Sequence, residues 1–303
     1  MSSDLLFPSL FFCPVTGHKG TFGTVAVVGG SCAGDSRMIG APALSAVAAL
    51  RAGCGLVRLA MPGPILGAGI VLAPSATGMR IPTDRSGGII AHEASAVVDQ
   101  LVTRATCLVI GPGLGEGEGP TAASLRAVQQ ESIPVVVDAD SLNCLALVPQ
   151  LHKDFHARAI LTPHPGEFGR LARALKVTQN PTDPAQRAGA AQAMAQRLGC
   201  VVVLKGAGTV VSDGIKTWTC THGHPCLATA GTGDVLAGLI GGLVAQFAAD
   251  QDAALSLFDA ARLGVQAHAI AGEEWARKHT AQAGLLAREL ADELPAVLEG
   301  MRA

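Results

Sequence analysis

Residues 228–246 read ATAGTGDVLAGLIGGLVAQ: small residues, then a single acid, Asp234, then apolar residues at helical spacing. A helix that starts after AGTGD offers free backbone N–H groups and the positive end of its dipole, and the glycines let a phosphate come close. A carboxylate in that place repels phosphate. It is justified if Asp234 takes the proton from a hydroxyl attacking the phosphate, or holds a metal ion bridging phosphates. The plainer role is helix capping by Asp or Thr, which accounts for one residue but not for the flanking glycines. Further along, Gly238, Gly241 and Gly242 should each cost the helix about 1 kcal/mol relative to Ala, so we expect it to be buried against a neighbouring backbone.

Other candidate groups follow short β-branched runs, where open α/β sheets bind their ligands. They are GGS at 29–31, GPG at 111–113, DAD at 138–140, PHPGE at 163–167 and KGAGT at 205–209. Lys205 is followed by turn residues able to form a second anion nest; a solvated lysine in an ordinary hairpin is the alternative. His164 precedes a helix start with Glu167 in its first turn, a place that favours neutral imidazole as a hydrogen-bonding group. It could equally cap the turn. No G-x-x-x-x-G-K-[ST] occurs, and GGSCAG at 29–34 lacks the G-x-G spacing and a matching acid, which argues against a P-loop or Rossmann site. CTHGHPC, with Cys220, His222, His224 and Cys226, has no usual zinc spacing and reads as a loop leading to the phosphate turn.

These groups need a scaffold. Short β-branched runs alternate with longer Ala- and Leu-rich segments of helical period, the pattern of parallel strands joined by crossover helices in an α/β fold. Strands are expected at 24–30, 107–113, 133–140, 159–165 and 200–208, and helices at 41–53, 120–130, 166–175, 184–198, 235–248, 252–274 and 283–298. Residues 203–225 read as two or three antiparallel strands with a hairpin turn at SDG, 212–214, so a short antiparallel extension should follow the parallel sheet. Residues 61–90, rich in Pro and Gly, read as a long irregular connection inside one domain.

The chain has 303 residues, 49% of them hydrophobic, which is ample for a buried core and argues against disorder. With 22 Lys+Arg against 24 Asp+Glu and no long basic run, neither nucleic acid nor an anionic membrane is favoured as a partner. Eight cysteines stand singly in apolar stretches, as buried thiols of a reducing cytoplasm do. The N-terminal apolar stretch lacks a basic start and is cut by Pro8 and Pro14, so no signal peptide is expected. No uninterrupted apolar span is long enough to cross a bilayer.

Taken together, HKGTFGTVAVVGGS (18–31), GAPALSAVAALRAGCGLV (40–57), IGPGLG (110–115), VVVDADSLN (135–143), LTPHPGEFGRL (161–171), VLKGAGTVV (203–211) and AGTGDVLAGLIGGLVAQ (230–246) resemble the ADP/ATP-dependent NAD(P)H-hydrate dehydratases, a carbohydrate-kinase-like family. The motifs occur in family order from residue 18 to about residue 298; Ala230 stands where the family usually has glycine. The resemblance implies a ribokinase-like three-layer α/β/α sandwich, a single domain over 1–303 with an N-terminal extension at 1–17 and no epimerase domain. It also implies dehydration of the S form of hydrated NADH or NADPH, a repair reaction that spends a phosphoryl group of ADP or ATP, with ADP expected. The ring hydroxyl would be phosphorylated and the phosphate then eliminated, with Asp234 taking the hydroxyl proton.

By the same resemblance, Lys205, Gly206, Ala207, Gly208, Thr209 and Gly233 would hold the nucleotide, while Ala41, Gly113, His164 and Asp234 would contact the hydrated dinucleotide. Mg2+ is implied by the phosphoryl chemistry, with the acids of VVVDADSLN nearby and its ligands unassigned. A cytoplasmic homo-oligomer working beside a separate epimerase completes the expectation. The rival enzyme is a ribokinase-like kinase of a small alcohol, such as a hydroxymethylpyrimidine or a hydroxyethylthiazole. It would share Asp234 and the glycines but has less reason for LTPHPGEF or GPGLG. A non-catalytic nucleotide sensor would not need the acid.

Overall fold

Valine- and isoleucine-rich runs that lack polar residues can be stable only where both faces of a strand are covered, and they form the centre of one large sheet here. The computed structural model describes residues 7–11, 13–249 and 254–302. Its strands are β1 (Thr24–Val28), β2 (Leu56–Pro62), β3 (Thr77–Ile81), β4 (Cys107–Ile110), β5 (Val135–Val137), β6 (Ala159–Leu161), β7 (Val201–Leu204), β8 (Val210–Ser212) and β9 (Thr217–Thr219). They run in the order β3-β2-β1-β4-β5-β6-β7-β8-β9. Neighbours from β3 through β7 are parallel, and β8 and β9 are antiparallel, as the hairpin signal at 212–214 leads one to expect.

The helices are α1 (Gly40–Arg51), α2 (Gly63–Leu72), α3 (Ala91–Val102), α4 (Glu118–Gln129), α5 (Asp140–Leu145), α6 (Pro165–Leu175), α7 (Arg187–Leu198), α8 (Thr232–Phe247), α9 (Leu257–His279) and α10 (Ala287–Glu299). They cover both faces. Successive strand residues point to opposite sides, so Val25 and Val27 join the core under α1, α8, α9 and α10, while Ala26 and Val28 join the core under α3, α4, α6 and α7. This is the three-layer sandwich. All eight cysteines are free, seven of them buried and Cys13 exposed, and among the described residues no helix is long and apolar enough to cross a membrane.

Residues 61–90 are not an irregular connection. They hold the end of β2, then α2 and β3. The Gly and Pro that suggested a loop serve the helix instead, since Pro64 occupies its first turn, where a missing N–H costs nothing. β3 is the sheet's edge, mostly exposed, and so needs little of the apolar patterning that marks a strand. The sequence pattern reveals neither β2, whose apolar run Arg58 interrupts, nor α3. The helix expected at 252–274 is α9; positions 252 and 253 lie outside the described residues.

Two features of this fold place the site. The chain leaves β1 toward β2 and β3, then returns to β4 on β1's other side, so the sheet has its switch point between β1 and β4. The second is α8, which lies against α1 at backbone distance. A Cβ on Gly238 would stand 2.1 Å from the Ser45 carbonyl oxygen, and one on Gly242 would stand 2.7 Å from that of Ala49. That close approach is the compensation the interior glycines require.

Candidate functional site

The first turn of α8 is open. Its N-cap, Gly231, has φ +91° and no side chain to offer, and the Thr232 hydroxyl turns away to donate to the carbonyls of Leu227 and Thr229 at 2.9 and 3.0 Å. Asp234 does not cap the helix either. Among the described residues its carboxylate makes no hydrogen bond or ion pair, so the capping role considered from the sequence is not the one adopted. Burial, followed by the nearby Asp138, pushes the Asp234 carboxyl up to about 7. A base is most useful when its pKa lies near the working pH.

Lys205 follows directly on β7 and lines the cavity next to Gly233. It is not a solvated hairpin lysine: its side chain is 17% exposed and its Nζ lies 2.7 Å from Asp138 Oδ1 and 3.9 Å from Glu167 Oε2. Burial works to pull its pKa down, but Asp138 and Glu167 outweigh burial and hold it above the ordinary lysine value, so it stays charged. Asp138 also accepts from Thr162 Oγ1 at 2.6 Å, which turns the carboxylate toward Lys205. Burial raises Glu167 to about 7. The cluster is therefore one fixed cation paired with Asp138, beside two acids, Glu167 and Asp234, that burial makes easier to protonate.

His164 lies beside this cluster as the N-cap of α6. Its Nδ1 accepts from the Gly166 N–H at 2.9 Å, and Glu167 accepts from the His164 N–H at 2.8 Å. The imidazole is biased toward the neutral form, as expected. The leading cause is burial, reinforced by Lys205 and Arg170, rather than the helix end alone.

One region beside Asp234 is a cavity of about 670 Å3 lined by residues 205–209, Thr232 and Gly233 together with Leu227, Leu236, Val265 and His268. A buried cation and apolar side chains in one cavity suit a phosphorylated ligand with a flat ring. His268 Nε2 lies 2.9 Å from the Thr232 carbonyl, and burial pulls its pKa down to about 4, so neutral imidazole donates there. The N–H groups of Gly206, Ala207 and Gly208 donate to no protein acceptor among the described residues, which leaves them available to an anion.

The other region is the switch point. Met38 sits between Gly113 and Ala41: a Cβ on Gly113 would meet Met38 Cβ at 2.9 Å and Ala41 Cβ at 3.3 Å. Ala41 lies one turn before Ser45 on α1, and the Ser45 hydroxyl donates to the Asp234 carbonyl at 2.8 Å. Ala41, Gly113, His164, Lys205, Gly233 and Asp234 thus come from five separate segments, Gly233 and Asp234 sharing the first turn of α8. The loop carrying Cys220, His222, His224 and Cys226 forms a rim of the cavity, with Glu273 accepting from the Gly223 N–H at 2.7 Å. No group of three metal-binding side chains occurs among the described residues. Reasoning from sequence passed over Asp138 and Glu167 as partners of Lys205 and gave His268 no role. The first two stand at strand and helix ends, which is a signal of position but not of pairing.

A family model described as NAD(P)H-hydrate dehydratase matches residues 26–296. A Xanthomonas campestris protein named ADP-dependent (S)-NAD(P)H-hydrate dehydratase is 36% identical over 93% of this chain and 90% of its own. A Coxiella burnetii protein named bifunctional NAD(P)H-hydrate repair enzyme is 38% identical over 90% of this chain and 50% of its own. The chain thus spans about half the length of the bifunctional relatives it matches. Among solved structures, ADP/ATP-dependent NAD(P)H-hydrate dehydratase from Bacillus subtilis, co-crystallised with ATP and Mg2+, superposes with a TM-score of 0.76 at 30% identity, covering 97% of this chain and 95% of that one. The fold is ribokinase-like.

Proposed function

Because the chain belongs to the NAD(P)H-hydrate dehydratase family, we propose that it removes water from the S form of hydrated NADH or NADPH at the expense of a phosphoryl group from ADP, with ATP as the alternative donor. The observation that carries this reading is Asp234: a carboxyl with no partner among the described residues and a pKa of about 7, at a helix start without a side-chain cap, next to Gly233, which lines the cavity with Lys205. In the order the site suggests, the nucleotide occupies the cavity with its phosphates toward Lys205, the N–H groups of residues 206–208 and the first turn of α8. The hydrated ring lies between Ala41, Gly113 and His164, with its hydroxyl against Asp234.

Asp234 accepts the hydroxyl proton as the oxygen attacks the terminal phosphorus, and the nucleotide departs one phosphate shorter. The phosphate ester then leaves with the electrons of the carbon–oxygen bond, a neighbouring ring proton is lost, and the double bond returns. Lys205, kept charged by Asp138 and Glu167, offsets the negative charge that gathers on the phosphate in both steps. The donor chemistry fits Mg2+, which takes one or two carboxylates and leaves its other positions to water and phosphate oxygens; Asp138 and Glu167 are the buried oxygen donors that would hold it. When bound, Mg2+ would neutralise phosphate charge. We assign the dehydrating activity to the domain that residues 26–296 form.

The test is to incubate the purified chain with hydrated NADH, Mg2+ and either nucleotide, and follow the return of nicotinamide absorbance. Recovery is expected, faster with ADP. If neither nucleotide restores absorbance while a pyrimidine or thiazole alcohol becomes phosphorylated, the small-alcohol kinase replaces this reading.

A further inference from the structure

Arg187 opens α7 behind the loop that ends β7, on the side away from the cavity. Its guanidinium spends every nitrogen on backbone carbonyls. Nε donates to Gly208 at 3.2 Å, Nη1 to Pro181 at 2.7 Å, and Nη2 to Leu204 and Lys205 at 2.9 and 2.7 Å. No carboxylate lies within ion-pair distance of it among the described residues. A half-buried arginine without a counterion is uncommon, because burial costs it solvation that an acid usually restores. Here, the same burial lowers its pKa.

The geometry points to Arg187 as the positioning residue of the nucleotide loop: by holding the carbonyls of Lys205 and Gly208 from behind, it aims the loop's N–H groups into the cavity and sets its charge behind the phosphates. The reason is the planarity of the peptide unit. A trans peptide places its N–H opposite its C=O, so fixing the Lys205 carbonyl toward Arg187 turns the Gly206 N–H the other way, into the cavity that Gly206 lines. The Lys205 N–H is fixed as well, by the Pro163 carbonyl at 2.9 Å, so the residue cannot rotate as a whole. Gly206 adopts φ +139°, and a Cβ there would stand 2.8 Å from Arg187 Nη2. The loop takes this shape only because the guanidinium can approach a residue without a side chain. A lysine at 187 could satisfy one or two of these carbonyls but not all four, since only the planar fork reaches in several directions at once.

This inference rests on the nucleotide reading of the cavity proposed above, and its test reads binding rather than turnover. Titration calorimetry with ADP is carried out on the parent, on Arg187→Met and on Arg187→Lys, with circular dichroism and thermal melting on each. ADP affinity is expected to fall about ten- to hundredfold in Arg187→Met and less in Arg187→Lys, with both variants folded and their affinity for hydrated NADH unchanged. Guanidinium chloride at low, non-denaturing concentration should restore part of the ADP affinity of Arg187→Met, which a general packing role would not allow. Equal ADP affinity in parent and Arg187→Met overturns the inference alone. So does an Arg187→Met that unfolds beside an Arg187→Lys that binds ADP as the parent does, since Arg187 would then only support the fold. A parent that binds neither ADP nor ATP overturns the nucleotide reading itself, and this inference with it.

Discussion

Two helices start within reach of Lys205, and their first turns are finished in opposite ways. α6 closes its own end: His164 and Glu167 satisfy the Gly166 and His164 N–H groups reciprocally. α8 begins on a glycine, with no side-chain cap and with its one acid left unpaired. Both ends carry the same kind of partial positive charge, and α6 has one orphan N–H fewer because Pro165 lacks one. The difference teaches that α8 keeps its first turn free of a side-chain cap, while the capped start beside it serves as a rigid mount for side chains. Glu167 belongs to the mount yet also lies 3.9 Å from Lys205 Nζ, so the closed end supplies charge to the open one.

Replacing Asp234 by Asn is the strongest way to break the comparison, since it leaves the open turn intact and removes its chemistry. Turnover should fall about a hundred- to ten-thousandfold while calorimetry shows nucleotide still binding; a nucleotide sensor would instead keep its ligand response. In the parent, kcat should rise with pH through about 7 as the carboxyl ionises. Stability carries the opposite sign. A folded-state pKa of about 7 lies above the ordinary aspartate value, so the contribution is full below that ordinary value and is lost as pH rises through about 7. Thermal melts of Asp234→Asn and parent should therefore diverge in the variant's favour between about pH 4 and about pH 7 and then stay parallel. A pH-independent difference would show that burial does not perturb this acid.

A smaller effect comes from narrowing the open turn. A Cβ on Gly233 would stand 3.5 Å from Lys205 Nζ, an ordinary contact, so Gly233→Ala should fold normally. The methyl takes space at the phosphate end, and the KM for nucleotide should rise about tenfold with the KM for the hydrated dinucleotide little changed. Unchanged nucleotide KM would place the phosphates elsewhere. The smallest effect belongs to the closed turn: His164→Ala removes one cap acceptor, worth about 1 kcal/mol, and should lower Tm by about 2–4 °C. Should the same variant also raise the KM for hydrated dinucleotide, His164 serves as both cap and contact. An unchanged Tm would mean that α6 does not depend on its cap.

Much of the scaffold and of the site was legible in the residues alone, because the signals involved are local. Val25 and Val27 facing one core and Ala26 and Val28 the other follow from strand periodicity, and the burial of α8 follows from glycines that would otherwise weaken it. AGTGD marks a glycine-bounded helix start with an acid in its first turn, as found. Where local signals are weak the sequence misleads: α2 begins with Gly and Pro and β3 is an exposed edge, so both read as loop.

Tertiary structure alone decided which helix start stays open and which acids share one lysine. Asp138 meets Lys205 across a separation of 67 residues, and Arg187 reaches the loop at 205–208 from a helix that precedes it. The pKa of about 7 at Asp234 arises from burial by segments distant in the chain. Hydrogen-bonding capacity and helical period belong to a residue and its immediate neighbours, whereas desolvation and charge pairing depend on what is packed against it. That is why the sequence by itself determined the acid and the turn that holds it, and only the fold determined its protonation and its company.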